Sequence, residues 1–169
     1  MTSRTAWTGG NLNSGLTWTT LINSADFASL ANGSTVLSTL TAVLNGTGLD
    51  QFMDVSLRAS INTTTLAAGA SCTLYLMYAL DNGTTFGDGS IVTAGTTGAI
   101  SPPPTVFPSA TFNFRAVATT IALNGFAGGI LIQPGSFIAA LQNNSGTTLS
   151  SSTTASLCLY RTYNQNLNN

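Results

Sequence analysis

No lysine, glutamate or histidine occurs anywhere in the 169 residues. Every cation is an arginine (Arg4, Arg58, Arg115, Arg161) and every anion an aspartate (Asp26, Asp50, Asp54, Asp81, Asp88), so only 5% of the chain is charged. The polar remainder is dominated by 28 Thr and 18 Ser, small hydroxyl side chains that suit strands and turns, with 17 Gly as punctuation. Such an alphabet cannot clothe long solvated helices, and the chain is expected to fold as strands. Its 43% hydrophobic content and net charge of −1 set it apart from disordered chains, which are poor in apolar residues and usually highly charged. The length fits one ordinary domain, with or without arms.

The same absences exclude chemistry. Without histidine there is no side chain for a Ser-His-Asp relay, a Cys-His pair or a His-ligated metal, and without lysine no Schiff base or P-loop cation. Four scattered arginines against five aspartates cannot line a phosphate track, so no nucleic-acid partner is expected. No enzymatic activity, cofactor or metal is expected either. The opening ten residues lack the apolar stretch of a signal peptide, and no run approaches the ~18 apolar residues of a membrane span. The expectation is a protein made in the cytoplasm with no membrane partner. So little surface charge gives copies little cause to repel one another, which favours self-association.

Along the chain, residues 1–33 read as an extended N-terminal arm. They carry turn-forming Gly and Asn, both tryptophans (Trp7 and Trp18) and a short helical turn near Asp26, with no sustained alternation. Residues 34–169 read as the folded domain. Ser34 to Leu44 is a first strand-like run. Phe52 to Ile61 places Met53, Val55, Leu57, Ala59 and Ile61 on one face, the mark of a half-buried antiparallel strand. From Cys72 to Leu80 the second face (Thr73, Tyr75, Met77, Ala79) is also largely apolar and needs cover from a partner or the arm. Residues 87–110, rich in Gly and Thr and centred on Pro102, Pro103 and Pro104, read as a long loop that cannot pair as a central strand. Thr111 to Val117, Thr119 to Leu123, Ser136 to Gln142 and Ala155 to Tyr163 follow as strands, with Asn124-Gly125 and Gly128-Gly129 as breaks. About eight strands and no long helix predict an all-β, antiparallel β-sandwich or barrel.

Individual residues have plain readings. Cys72 and Cys158 lie in strand-like runs as buried thiols, and whether they pair is open. Asp81 to Gly89 could offer carboxylates and carbonyls to calcium, but without EF-hand spacing or a bidentate glutamate it reads as a hairpin turn. Asp50 and Asp54 are four residues apart at a strand entrance and read as solvated aspartates in preference to a paired acid catalyst. Arg58 and Arg115 fall on polar faces. The side chains expected at an interface are Trp7, Trp18, Tyr75, Met77 and Arg161.

The order of several segments resembles small structural proteins of tailed bacteriophages: Leu49-Asp50-Gln-Phe52 leading into an alternating strand, Ala67-Ala68-Gly69-Ala70 before Leu74-Tyr75-Leu76, Leu80-Asp81-Asn-Gly83, Pro134-Gly135-Ser-Phe137, Leu141-Gln-Asn143-Asn144-Ser-Gly146 and Leu159-Tyr160-Arg161-Thr162-Tyr163-Asn164. The chain looks like the capsid decoration, or cement, proteins of such phages. The resemblance implies a jelly roll and a homotrimer on the capsid exterior, bound to the major capsid protein. The chain departs from the pattern in its Pro-rich insertion after Asp88 and in Thr162, where a second basic residue is common. A receptor- or glycan-binding module of a phage tail or fibre is the alternative expectation.

Overall fold

The computed structural model describes residues 4–9, 17–38, 43–45, 49–61, 65–81, 85–86, 92–93, 99–100, 106–116 and 122–168. Its strands are β1 (Arg4–Gly9), β2 (Thr19–Ile22), β3 (Thr35–Leu37), β4 (Val43–Asn45), β5 (Phe52–Ser60), β6 (Ser71–Asp81), β7 (Thr85–Phe86), β8 (Val92–Thr93), β9 (Ala99–Ile100), β10 (Ala110–Asn113), β11 (Ala122–Leu131), β12 (Gly135–Asn144) and β13 (Leu157–Asn168). A 3-10 turn, Ser24–Phe27, lies between β2 and β3. The first sheet runs β1-β13-β5-β11, with β2 also on β13. The second runs β8-β7-β6-β12-β3-β9, with β10 on β6 and β4 on β12. The pairings are antiparallel, and the sheets pack as an all-β sandwich.

The main core lies between the sheets. On β5, Met53, Val55, Leu57 and Ala59 are buried as their alternation requires. They meet Leu74 and Leu76 of β6 and Phe137 and Leu141 of β12 from the facing sheet. Burying each large aliphatic or aromatic side chain is worth roughly 1.5–3 kcal/mol, so this layer is the principal favourable term. Leu21, Ile22 and Phe27 close one end of it.

Those last residues correct the arm reading. Leu21, Ile22, Phe27 and Leu30 belong to the core, and β1 and β2 are hydrogen-bonded to β13, so the boundary at residue 33 does not separate an arm from a sandwich. Four-residue β2 and outermost β1 do not need the long two-residue alternation that marks a half-buried central strand.

The second face of β6 is covered by its own chain. Tyr75 and Met77 pack with Leu37, Phe86, Ile138 and Ala140 in a second apolar cluster, flanked by Ala79 and Val106. The proposed 87–110 loop contributes two-residue strands, β8 and β9, at opposite rims of this sheet, consistent with its exclusion from central positions. Pro102, Pro103 and Pro104 lie outside the described residues.

β11 is one strand where breaks were expected. Gly125 lies in register with Leu57, and a Cβ there would come within 2.7 Å of the Phe112 ring, so close approach of β10 explains the glycine. At Gly128-Gly129 the register shifts as in a bulge, with Gly129 at φ +70°, and the pairing then resumes.

Candidate functional site

The outer face of the first sheet is the most distinctive surface of the molecule. Register places Leu159 beside Ser56 and Ser56 beside Phe126. One rung along, Arg161 lies beside Asp54, and in the next Tyr163 lies beside Phe52 and Phe52 beside Leu131. Trp18, just ahead of β2, reaches onto the same face. Its ring meets Phe126 edge-on at 6.4 Å between centroids, and the Arg161 guanidinium stands 4.8 Å from its centre. Phe52 and Tyr163 stack at 5.7 Å. Phe126 is 63% exposed and Leu131 70%.

Asp54 organises this face. Its Oδ2 accepts from Arg161 Nε at 3.0 Å and Nη2 at 2.9 Å, while Oδ1 accepts from the Tyr163 hydroxyl and the Gly129 amide, each at 3.0 Å. The Tyr163 hydroxyl is pushed above its ordinary pKa, first by burial and then by donating to, and sitting beside, the Asp54 carboxylate. The four donors explain how a charged residue is buried on the outward side of a strand.

Asp50 is the counterpart on the other side of β13. It accepts from Thr162 Oγ1 at 2.6 Å and Asn164 Nδ2 at 3.0 Å, and buried Asn45 brackets its backbone, accepting from the Asp50 amide and donating to the Asp50 carbonyl. The bracket coincides with Leu49 at φ +47°, a left-handed conformation that costs a leucine about 1–2 kcal/mol. Leu49 stays 52% exposed and, with Phe52, Leu131, Ile132 and Pro134, lines an open cleft of about 400 Å³.

The reading of Asp50 and Asp54 as solvated residues is therefore corrected: they are 1% and 5% exposed. Their side-chain donors come from alternate residues of Arg161-Thr162-Tyr163-Asn164, more than 100 positions away, so one strand serves both carboxylates from opposite faces. They lie on opposite faces of β13 and do not converge as an acid pair. The four consecutive hydrogen-bonding side chains of β13 were the sequence signal that something acidic lay beside it.

Of the expected interface side chains, Trp18 and Arg161 meet on this face. Tyr75 and Met77 do not: Met77 is fully buried and Tyr75, 7% exposed, donates to Gln142. Both are withdrawn as interface residues because the chain's own Phe86 and Val106 cover them. The side chain of Trp7 lies outside the described residues, although its backbone pairs with Gln165. So do the Asp81 side chain and Asp88, which leaves the calcium reading untouched. Among the described residues no three candidate ligands cluster for a metal. Cys72 and Cys158 are free and buried. Burial pushes the Cys72 thiol up to about 12, and burial together with nearby Cys72 raises Cys158, so neither is a ready nucleophile.

No protein-family model, no curated protein and no solved structure matches this chain.

Proposed function

We propose that this chain is a structural virion protein, a non-enzymatic decoration or cement protein on the exterior of a tailed-phage capsid, working as a homotrimer that bridges capsid subunits. The observation that carries this reading is the contrast between the two outer sheet faces. Over Tyr75 and Met77 the second sheet's is covered by the chain's own Phe86 and Val106, with Leu44 exposed on β4, whereas the first sheet's leaves Phe126 and Leu131 in water beside an internally neutralised Asp54–Arg161 pair. A face with exposed apolar side chains and an already paired carboxylate suits adhesion better than turnover. The strand orders β2-β13-β5-β11 and β3-β12-β6-β10, with β4 beside β3 on β12, interleave early and late strands as two nested Greek keys do, which supports a jelly roll.

The glycan-binding alternative receives less support. Sugar-stacking sites offer free aromatic faces, and the Trp18 ring is already engaged by Arg161 and Phe126. Electron cryomicroscopy of particles carrying the protein tests the reading. Three-fold sandwich density on the head lattice is expected; density confined to a tail tip or fibre would overturn it.

A further inference from the structure

β11 is the longest edge strand among the described residues. It pairs with β5 on one side and, among those residues, with no strand on the other. The remaining edges are short: β8 and β9 have two residues each, β4 three, β2 and β10 four, and six-residue β1 begins at Arg4. Sheets ordinarily blunt an exposed edge by brevity, charge or proline, because its free backbone groups invite another chain. β11 runs ten residues with neither a charge nor a proline. The bulge at Gly128-Gly129 bends it, which leaves Ala122 to Ala127 as a regularly paired run.

Register fixes which backbone groups of that run face outward. At the end of β5 the Ser60 amide donates to Ser156 Oγ and the Ser60 carbonyl accepts from the Ser150 amide, both from the segment that leads into β13. Antiparallel strands alternate, so Ala59, Leu57 and Val55 turn their backbone groups toward β11, where they meet Leu123, Gly125 and Ala127. The Ile132 amide, donating to the Gln51 carbonyl, keeps the same phase at the other end. The N–H and C=O groups of Ala122, Asn124 and Phe126 therefore point away from β5, and among the described residues no strand or side chain takes them up.

We propose that this edge binds an extended segment of a second protein, added to the first sheet as a further strand. The outward groups repeat every second residue, about 6.8 Å apart, the spacing that an extended backbone matches. Side chains specify the rest. Alternate residues of the added strand lie beside Asn124 and exposed Phe126 on the outer face, and the others beside Leu123, Gly125, Ala127 and the Phe112 ring packed on Gly125. With no charge along β11 to pair with, the segment is uncharged and apolar at every second position. A second copy fits less well, because β11 laid on its own equivalent closes as a two-fold dimer and consumes the edge, whereas the proposed assembly is three-fold. That choice of occupant rests on the function proposed above; the open edge does not.

Selection from a display library of random peptides about ten residues long, the length of β11, against the full-length protein tests the assignment. Binders are expected to be uncharged and apolar at alternate positions. Asn124→Pro removes one outward N–H and no bond to β5, the setting in which a strand tolerates proline, and should raise their Kd by at least about tenfold, while Asn124→Thr leaves it unchanged. Thermal melts confirm folding. Should Asn124→Pro not fold, N-methylation of the best binder decides: methyls on one set of alternate residues should abolish binding and on the other set should not. Recovery of no binder, a folded Asn124→Pro that binds normally, or indifference to both methylation patterns would overturn the proposal. Hydrogen exchange of the unmodified protein alone gives a further check. The Ala122, Asn124 and Phe126 amides should exchange at least about 100-fold faster than those of Leu123, Gly125 and Ala127, and protection of all six, the sign of an edge already filled by the protein itself, would also overturn it. Location on the virion is a separate outcome: a protein missing from phage heads whose β11 binds these peptides would refute the capsid reading and leave the edge site standing.

Discussion

Asp54 shows what a single residue contributes here. It accepts four hydrogen bonds, two of them from Arg161, with which it forms an ion pair at 2.9 Å. Asp54→Asn keeps the shape, removes the charge and leaves a half-buried guanidinium without its anion, which should cost about 2 kcal/mol in urea unfolding. The same variant should let Tyr163 titrate at lower pH than in the unmodified protein, because two of the three causes that raise it come from Asp54. The tyrosinate absorbance of Asp54→Asn, compared with Tyr163→Phe, reads this directly. An unchanged Tyr163 titration would mean that burial alone sets it. This site was hidden in the sequence because alternation places Asp54 on the solvent side of β5, and only the cross-strand neighbours Arg161 and Tyr163 make its burial tolerable.

At the scale of the element, legibility followed alternation. β5, β6 and β12 are long strands with apolar alternation, and their spans were readable; β13 was readable as far as Tyr163, but Asn164 to Asn168 carry no apolar alternation and their pairing with β1 was not. β11 was not, because its glycines look like breaks when read along the chain. They answer to side chains packed against them: Gly125 to the Phe112 ring of β10, Gly128 to its own strand's Phe126 ring and to the Asp54 carboxylate of β5. Gly125→Ala should therefore cost about 1–3 kcal/mol, since its Cβ would meet Phe112 Cδ1 at 2.7 Å and the less movable Phe112 Cβ at 2.9 Å. Gly33→Ala, which meets open space and carries only the strain of φ +80°, should cost nearer 1 kcal/mol. Chemical denaturation of the pair checks the order; equal effects would mean that β10 moves away without penalty. β1 and β2 were missed for a different reason. β1 pairs with β13 through backbone hydrogen bonds, which any non-proline sequence can make, and β2, although it buries Leu21 and Ile22, is only four residues long, too short to show alternation.

For the whole molecule, the missing lysine, glutamate and histidine pointed to strands, and the fold is built of them. Burial holds several neutral groups above their ordinary values: Cys72, Cys158, Tyr75, Tyr78 and Tyr163. A group raised in the folded state holds its proton more tightly there, so its stabilisation is complete below its ordinary pKa and is lost as pH rises toward the folded value. For Cys72 that window runs from 9.0 to about 12. Stability should fall above pH 9 by up to ~1.4 kcal/mol per pH unit for each buried thiol. In Cys72→Ala/Cys158→Ala the fall should begin only near the ordinary tyrosine value of 10.0. Urea midpoints across this range test it, and coincident curves would contradict it.

The same buried thiols allow a direct test of the central claim, that the protein works by having the outer face of its first sheet covered in the particle. Because Cys72 and Cys158 are shielded, a cysteine placed at exposed Arg58 on that outer face, or at Phe107 away from it, reports selectively to a maleimide. The measurement is the labelling rate of Arg58→Cys and Phe107→Cys in purified virions relative to the dissociated protein. Arg58→Cys is expected to slow by at least about tenfold on assembly, the protection that a buried interface confers, with Phe107→Cys unchanged. An Arg58→Cys rate as fast in the virion as in the free chain would contradict the account.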